Sequence, residues 1–359
     1  MNFQTVLSVV LSVAITIHGA YQAWGPPMVH MNWISVRSLP HEFADFRVVH
    51  LTDLHIGPTI GRTRMKTVVD IVNRLRPDIV TIAGDLVDGD EEPLIEAISP
   101  IKAIRSRLGV YFVTGNHEYY HGNIVEWFAY LRAAGITILH NSHVKITQKK
   151  VYRANASRVP SPYEKYFCLA GVDDYSAASS GAYGHKLDIE AALDGCSGRN
   201  RSVIVLCHQP RGVKEILKAR DDVDLVLAGH THGGQLWLIS PLTFVLQPFF
   251  HGLYTDDDSG AKVYVSRGVH FWGPPVKNAG LEISLIFLQP DKASPSPDPD
   301  VYSSFPELQI MNGIDGNIVP PWSVSPEAVK NIVVWTISAV VVFIVFIILV
   351  SIKAKLFPM

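Results

Sequence analysis

The strongest constraint on the fold is an alternation of short apolar runs with segments of helical periodicity. Three β-branched runs predict buried strands at residues 47–52, 78–83 and 110–114, and a helix is predicted after each, at residues 63–75, 94–106 and 123–134. This alternation predicts an α/β core with largely parallel pairing. Five more strands are predicted at residues 165–171, 202–207, 223–228, 262–267 and 281–288. So many strands indicate two packed sheets flanked by helices.

Polar residues follow five of these strands directly. In chain order they are Asp53-Leu-His55, Gly84-Asp85-Leu-Val-Asp88, Gly115-Asn116-His117-Glu118, His208 and Gly229-His230-Thr-His232. The carboxyl ends of strands in α/β folds converge on the crevice where sites form. Seven of these side chains are candidate metal ligands: Asp53, His55, Asp85, Asn116, His208, His230 and His232. Oxygen and imidazole ligands without thiolate suit Mn, Fe, Zn or Co. Two ions that share a bridging carboxylate would use the whole set.

The order of these motifs resembles the calcineurin-like metallophosphoesterase superfamily. The flanking segments at residues 50–57, 229–235, 252–254, 265–268 and 273–275 resemble its membrane-anchored, YkuE-like branch. The resemblance covers about residues 45–289 and implies a four-layer α/β/β/α sandwich, in agreement with the number of predicted strands. Two departures from the pattern, Leu281 before Glu282 and His270, are expected near the rim of the site, where they would concern specificity.

The resemblance also implies a role for each residue of the site. One ion would be bound by Asp53, His55, Asp85 and His232, and the other by Asp85, Asn116, His208 and His230. Asp85 would therefore bridge the two ions. His117 is the predicted catalytic residue, a general acid that faces the phosphate and protonates the leaving oxygen. Glu118 and Asp88 are expected to orient the ligands, although a helix N-cap is an equal alternative for Asp88.

These residues predict a dimetal-dependent phosphoester hydrolase. Two divalent ions about 3.5–4 Å apart bind the phosphoryl oxygens and lower the pKa of a bridging water, and the resulting hydroxide attacks phosphorus in line. The substrate is expected to be a phosphomonoester or phosphodiester, with a lipid-linked one as an option. The alternatives are a pyrophosphatase or a glycolipid phosphodiesterase of the same fold, or a non-catalytic membrane scaffold. The scaffold is disfavoured because none of the seven ligands has been lost.

Apolar segments near both ends predict that the chain is an integral membrane protein. Residues 4–24 are predicted to form an N-terminal membrane anchor or a signal peptide, and residues 331–352 a transmembrane helix. The metallophosphoesterase domain is assigned to residues 40–289, and residues 290–326, which contain eight prolines, are assigned as a linker. Lys353 and Lys355 place the C-terminus in the cytoplasm by the positive-inside rule. The catalytic domain would then be lumenal or extracellular, and the sequons at Asn155 and Asn200 predict a glycoprotein.

The remaining composition excludes several classes of protein. A net charge of −2 provides no basic excess for nucleic-acid binding. Three widely spaced cysteines allow at most one disulfide and exclude a disulfide scaffold. His140 and His185 lie in polar segments and are expected to be solvated, and Lys277 is expected in a solvated loop. The apolar run at residues 237–250 is expected either to pack on the domain or to form an aromatic lip at a membrane interface.

Overall fold

The computed structural model describes residues 3–120, 123–154, 159–161, 163–196, 201–291 and 308–310. The helices are α1 Phe3–Trp24, α2 Arg62–Leu75, α3 Glu91–Ile98, α4 His117–Tyr120, α5 Ile124–Ala133, α6 Ile189–Leu193, α7 Pro210–Ala219 and α8 Ser240–Leu246. Short 3-10 helices cover His41–Phe43, Ser99–Ala103, Ala177–Ser179 and His232–Gly234.

The strands form two mixed seven-stranded sheets. The first has the order β14-β1-β13-β2-β3-β4-β5 and consists of β1 Met28–Val36, β2 Phe46–Leu51, β3 Ile79–Ala83, β4 Val110–Val113, β5 Thr137–Ile138, β13 Glu282–Pro290 and β14 Leu308–Ile310. The second has the order β11-β12-β10-β9-β8-β6-β7 and consists of β6 Ser142–Thr147, β7 Val151–Arg153, β8 Tyr166–Gly171, β9 Val203–Leu206, β10 Leu225–Ala228, β11 Gly252–Thr255 and β12 Lys262–Val265.

The alternation of side chains along each strand places the apolar residues in separate clusters. In β2, Val48 belongs to a cluster that joins residues of both sheets, such as Phe167 and Ile204. The next residue, Val49, belongs to a cluster on the opposite face together with residues of α2 and α5. A third cluster packs α6 and α7 against the second sheet. This is the period of two expected for strands that are covered on both faces.

The parallel pairing brings the ends of the site-bearing strands to common edges. Val49 of β2 pairs with Val80 of β3, and Val80 pairs with Val110 of β4. In the second sheet β9 and β10 are also parallel, with Leu206 beside Leu227. The carboxyl ends of three neighbouring strands in one sheet and two in the other are therefore aligned, as the sequence predicts.

The two-sheet α/β fold is confirmed, with three differences in detail. The helix predicted at residues 94–106 is α3 followed by a 3-10 turn that contains Pro100, because proline cannot continue the hydrogen bonding of an α-helix. Six strands were not predicted, namely β1, β5, β6, β7, β11 and β14. β1 lies ahead of the predicted domain boundary at residue 40 and pairs with β13, so the first sheet includes earlier residues. The boundaries themselves stay predictions.

Among the described residues, α1 is the one helix that is long and apolar enough to cross a membrane by length and composition. Its C-terminal half contacts the domain, since the backbone N–H of Lys277 donates to the carbonyl of Gly19 and the Asn278 side chain donates to the carbonyl of Ile15. The predicted transmembrane helix at 331–352, most of the linker at 290–326, Asn155 and Asn200 lie outside the described residues. Strand β14 falls inside the predicted linker and pairs with β1.

One disulfide joins Cys168 of β8 to Cys196, whose Cα atoms are 6.0 Å apart. Cys207 is a buried free thiol. The count of one bridge agrees with the limit set by three cysteines.

Candidate metal centre

Six of the seven predicted ligands form two compact groups at the carboxyl ends of the strands. Asp53 and His55 follow β2, Asp85 follows β3, His208 follows β9, and His230 and His232 follow β10. The ligand atoms of Asp53, His55 and His232 lie within 4.8 Å of one another, and so do those of Asp85, His208 and His230. Each group contains residues that the resemblance assigns to the same ion, whereas Asn116 belongs to neither group.

The first group is built around Asp53 and two parallel imidazoles. Nε2 of His232 lies 3.3 Å from Oδ1 of Asp53 and 3.1 Å from Nε2 of His55. The rings of His55 and His232 stack with their centroids 5.0 Å apart. Nδ1 of His55 lies 2.8 Å from Oδ1 of Asp88, so the Nδ1–H donates to that carboxylate and Nε2 keeps a free lone pair. Such an outer hydrogen bond fixes the tautomer that a metal-binding imidazole needs.

The second group is built around Asp85 and His208. Nε2 of His208 lies 3.1 Å from Oδ2 of Asp85, and Nδ1 lies 2.7 Å from the carbonyl of Ala83, to which it donates. His230 packs edge-on against His208, with ring centroids 5.1 Å apart. Oδ2 of Asp85 is also 3.9 Å from Nε2 of His55. Asp85 therefore lies between the two groups, where a bridging ligand would have to be.

Asn116 and His117 lie on the turn after β4. The Asn116 amide nitrogen donates to the Tyr120 hydroxyl at 2.8 Å, whereas Oδ1 is buried and has no hydrogen-bond partner among the described residues. The backbone N–H of His117 donates to Oδ1 of Asp85 at 2.9 Å. Nε2 of His117 is 4.0 Å from Oδ2 of Asp85, and its ring centroid is 4.6 Å from that of His55, so the ring lies beside both groups.

The backbone at the predicted ligands is unusual. Asp53, His55, Asp85, His230 and His232 all have positive φ, between 45° and 73°. The left-handed region is uncommon for residues that carry a Cβ, and such residues cluster at functional sites. Five of the seven predicted ligands thus share a conformation that their side chains disfavour.

Glycines let the ligand loops approach one another closely. A Cβ on Gly84, whose φ is +79°, would lie 2.5 Å from the backbone nitrogen of Gly115 and 2.8 Å from Cγ of His208. A Cβ on Gly229 would lie 2.6 Å from Oδ2 of Asp53. These contacts are far too short for any side chain. The glycines of the GDLVD and GHTH motifs are therefore needed for packing of the ligands themselves.

Glu118 acts on the ligand loops through their backbone. Its buried carboxylate accepts hydrogen bonds from the N–H groups of Asp85, Leu86 and Gly115 at 3.0, 2.7 and 2.6 Å. Burial, and next the charge of Asp85, raise the pKa of Glu118 to about 7. Glu118 thus orients the predicted ligands indirectly, because its carboxylate bonds to the backbone of the turns that carry Asp85 and Asn116.

Two residues near the site differ from expectation. Lys277 is fully buried, and its ammonium group lies 2.6 Å from the carbonyl of His270 and 3.4 Å from Nδ1 of His232. The expectation of a solvated loop lysine is therefore wrong. Burial lowers the pKa of Lys277 to about 7, against the opposing charge of Asp53. His270 is buried and bonds through Nδ1 to the carbonyl of Leu54 at 2.8 Å, so it does not reach the rim.

The electrostatics of the groups favour cation binding. Burial raises the pKa of Asp85, but His208 and His55 outweigh it and leave this pKa well below the usual value. Burial, followed by the charge of His208, lowers the pKa of His230 to about 4. Burial likewise holds the pKa of His232 well below 6.5. Ionised carboxylates and neutral imidazoles are the protonation states that metal ligands require. His208 differs, because burial lowers its pKa but the charge and hydrogen bond of Asp85 outweigh burial and raise this pKa well above 6.5, so His208 has to release a proton when it binds metal.

The donor set fits a pair of divalent ions. Oδ1 of Asn116 is buried without a hydrogen-bond partner among the described residues, and the buried Nε2 of His208 has only its ion-pair contact of 3.1 Å with Asp85. Leaving buried polar atoms unpaired costs about 1–3 kcal/mol each, so they point to a missing ligand. Two groups of oxygen and imidazole donors on either side of Asp85 can satisfy them with first-row divalent ions.

Comparison with known proteins agrees with this site. Residues 46–234 match the family described as calcineurin-like phosphoesterase, so the chain belongs to this family of phosphoester hydrolases. It is 40% identical over 287 residues to a zebrafish (Danio rerio) transmembrane protein with metallophosphoesterase domain, covering 80% of this chain and 63% of that protein. It is 26% identical to the uncharacterized metallophosphoesterase YkuE of Bacillus subtilis, covering 77% of this chain and 92% of that protein. The resemblance to the YkuE-like branch is thus confirmed.

A solved structure also overlaps with the chain. A dimetal phosphatase from Danio rerio superimposes with a TM-score of 0.42 at 15% identity, covering 65% of this chain and 90% of that chain.

Proposed function

We propose that the chain is a dimetal-dependent phosphoester hydrolase in which one ion is bound by Asp53, His55, Asp85 and His232 and the other by Asp85, Asn116, His208 and His230. The observation that carries this proposal is the position of Asp85 between two His/Asp groups. When bound, the ions would supply charge to the phosphoryl oxygens and a nucleophile from water near neutral pH. We assign the domain that carries these residues to the four-layer α/β/β/α metallophosphoesterase sandwich.

His117 is the proposed general acid. Its Nδ1 lies 2.7 Å from Oδ1 of Asp88, so the Nδ1–H donates to the carboxylate and Nε2 is presented to the site. Burial lowers the pKa of His117, but the hydrogen bond to Asp88 and the charge of Asp85 raise it above the usual value. An imidazolium with its proton on Nε2 can protonate a leaving alkoxide or phenoxide. His117 therefore has the position, partner and protonation state for this role.

The test uses the full-length chain in detergent with Mn²⁺. We would measure bound metal and turnover of p-nitrophenyl phosphate and bis-p-nitrophenyl phosphate, beside Asp85→Asn and His117→Ala. Metal-dependent turnover that falls in both variants, with bound metal lost only in Asp85→Asn, is the expected result. A chain that neither binds metal nor turns over either ester would contradict the proposal and favour a scaffold. The ratio of the two rates separates monoesterase from diesterase activity, and inorganic pyrophosphate serves as the third substrate.

A membrane surface is the proposed partner of the domain. Among the described residues, α8 has no buried residue, and it forms with the preceding turn an exposed apolar lip of Trp237, Leu238, Ile239, Leu242, Phe244, Val245 and Leu246. The ring of Trp237 lies 4.8 Å from the ring of His18 in α1. The lip is thus continuous with the apolar helix, and aromatic residues prefer the headgroup level. If α1 enters a bilayer, the lip lies at its surface.

The lip also leads toward the catalytic histidine, which favours a lipid-linked phosphoester. Trp272 is 54% exposed, and its ring centroid lies 6.1 Å from that of His117. Its backbone N–H and carbonyl both bond to the side chain of Gln235, two residues before Trp237. A phosphate at headgroup depth would thus meet the site beside the lip. Phe249 is buried and is not part of this surface.

The lipid proposal has its own test. Full-length Leu242→Ser and Leu246→Ser variants, reconstituted in vesicles, should lose turnover of a phospholipid substrate while keeping turnover of p-nitrophenyl phosphate. Ile95→Ser, an exposed apolar residue on α3, serves as the control. Equal loss on both substrates would indicate a folding defect. Unchanged lipid turnover would exclude the lip from substrate access.

The domain is proposed to face the lumen or the exterior. The disulfide between Cys168 and Cys196 supports this placement, because such bonds persist in oxidising compartments. Protection of the domain from protease added to intact vesicles is the expected result. Digestion without detergent would place it in the cytoplasm instead.

A further inference from the structure

A second cluster of metal-ligating side chains lies outside the candidate metal centre. Oδ1 of Asp173 lies 2.6 Å from Nδ1 of His140, and Oδ2 of the same carboxylate lies 3.1 Å from Nδ1 of His185. Three separate segments supply these residues, since His140 follows β5, Asp173 follows β8 and His185 precedes α6. All three ligand atoms lie within 4.8 Å of one another. The expectation of a solvated loop histidine is therefore wrong for His185, whose side chain is 10% exposed, whereas His140 remains partly exposed.

Hydrogen bonding does not satisfy this cluster. Asp173 is 1% exposed, yet its Oδ2 is buried without a hydrogen bond among the described residues, because the nearby His185 Nδ1 is not aligned to donate to it. Nδ1 of His185 is instead within 3.0 Å of the Tyr119 hydroxyl. The Tyr119 hydroxyl and Oδ2 of Asp173 thus lie on either side of the same nitrogen, Nδ1 of His185. One N–H or O–H proton cannot serve all of these contacts at once.

A cation would complete the arrangement. Two imidazole nitrogens and one carboxylate oxygen form a three-ligand set that suits Zn²⁺ or a related first-row ion, with water or a phenol oxygen in the remaining position. The side chain of His140 is 37% exposed, which leaves an entry path from solvent. The ring of Phe128 packs against His140 and His185, with centroids 6.0 and 5.7 Å away.

We propose that His140, Asp173 and His185 form a third divalent metal site, with Zn²⁺ as its preferred ion, separate from the pair at Asp85. The ion takes the place of the proton between Nδ1 of His140 and Asp173, and it binds the lone pair of His185 Nδ1 that otherwise faces the Tyr119 hydroxyl. Because ligands bind metal in deprotonated form, uptake releases protons to solvent. The inference does not rest on phosphoester hydrolysis, since it uses residues outside the catalytic machinery.

The third site would stabilise the loops beside the catalytic histidine and would not take part in the reaction itself. The hydroxyl of Tyr119 lies 3.0 Å from both His185 and Thr114, and Thr114 accepts the backbone N–H of Asp174. Tyr119 belongs to α4, the same helix as His117. An ion held by Asp173 and His185 would therefore join the loop after β8 to the turn that carries the catalytic histidine.

The test counts zinc in the full-length chain. After loading with Zn²⁺ and removal of excess ion, metal content per chain is measured by mass spectrometry for the wild type, His140→Gln and His185→Gln. His41→Gln, an exposed histidine in the first 3-10 helix, is the matched control. We expect both cluster variants to lose one equivalent of zinc relative to the wild type and to the control. We also expect the zinc-dependent rise in Tm to shrink in both.

Two further measurements separate the possible outcomes. Asp85→Asn should lose zinc from the catalytic pair but keep the equivalent that depends on His140, so the third site is observed even if the catalytic proposal fails. His140 is partly exposed, so His140→Gln is expected to fold, which circular dichroism checks. Equal zinc content in wild type, His140→Gln and His185→Gln would overturn the proposal and leave the cluster as a hydrogen-bonded pair of imidazoles.

Discussion

Asp88 and His117 are joined by a hydrogen bond of 2.7 Å between Oδ1 and Nδ1. The same oxygen lies 2.8 Å from Nδ1 of His55. One carboxylate oxygen therefore sets the tautomer of a predicted ligand and of the predicted general acid. Asp88 does not cap α3, since Asp90 is the residue that precedes this helix. The two roles expected for Asp88 are thus resolved in favour of orientation.

Replacing Asp88 with Asn should impair both histidines together. The neutral amide oxygen accepts the two N–H donors more weakly than the carboxylate does, so the rings are held less firmly and His117 loses the charged partner that raises its pKa. Loss of such an outer partner typically lowers activity or metal affinity by about 10–100-fold. We expect a fall of this size in kcat, together with weaker metal retention. Asp90→Asn, an exposed neighbour, should leave both unchanged, and equal effects in the two variants would contradict the assignment.

Gly84→Ala should prevent the ligand loops from packing. The added Cβ would meet the Gly115 backbone at 2.5 Å in a left-handed conformation. Gly135→Ala is the matched control, since Gly135 has φ +82° with no atom within 4 Å of an added Cβ. The control should lose about 1–2 kcal/mol, the cost of the left-handed conformation alone. Gly84→Ala should lose more and also lose bound metal, as measured by unfolding and metal content. Similar losses in both variants would refute the steric argument.

Lys277→Met should weaken the fold around His232. The ammonium group donates to the carbonyls of Arg267 and His270 at 2.5 and 2.6 Å, and methionine leaves these buried acceptors unpaired. Each unpaired group costs about 1–3 kcal/mol. We expect a loss of stability in that range and weaker binding of the ion held by His232, measured by thermal unfolding and metal titration. Lys186→Met, at an exposed site, should have no effect on either quantity.

Glu282 should make stability depend on acid pH. Its buried carboxylate accepts hydrogen bonds from the Tyr264 and Ser284 hydroxyls at 2.6 Å. Burial raises the pKa of Glu282, but His30 and Arg267 outweigh it and lower this pKa below the value of 4.5 for the free side chain. The unfolded chain therefore takes up a proton first as the pH falls. Stability from this group is complete above pH 4.5 and is lost below it, by about 1.4 kcal/mol per pH unit.

The measurement is urea unfolding between pH 7 and pH 3.5 for the wild type and Glu282→Gln. The variant should be less stable at pH 7 and should show a shallower decline below pH 4.5. Parallel curves would show that Glu282 does not contribute to the acid dependence. The rim position expected for this residue from sequence is not where the structure places it, since its partners lie in buried strands.

The sequence predicts those parts of the molecule that depend on local pattern. Buried strands such as β2 and β3 appear as apolar runs, and the polar residues at their ends, such as Asp53 and Asp85, mark the site. Strand β1 was missed because it contains His30 and Asn32, which interrupt the apolar pattern although both are buried. Their partners lie more than 200 residues away, at Arg267 and Tyr264. Such pairing has no local signal.

The burial of Lys277 and the cluster at Asp173 could not be predicted for the same reason. Lys277 lies between glycine and proline residues that are typical of an exposed loop, yet carbonyls of residues 267–270 surround it. His140 and His185 come together only because separate loops after β5 and β8 meet. Sequence motifs identify ligands that follow strands in a known order. They do not identify ligands brought together by loops.

The positive φ angles at Asp53, His55, Asp85, His230 and His232 set stability against function. Glycine at any of these positions would relax the backbone, but it would remove a proposed ligand atom. The protein therefore retains a strained backbone at these proposed metal-binding residues. The packing of the two-sheet core has to stabilise this backbone conformation. Substitutions meant to raise the stability of this fold should therefore leave these five strained residues unchanged and be made elsewhere in the chain.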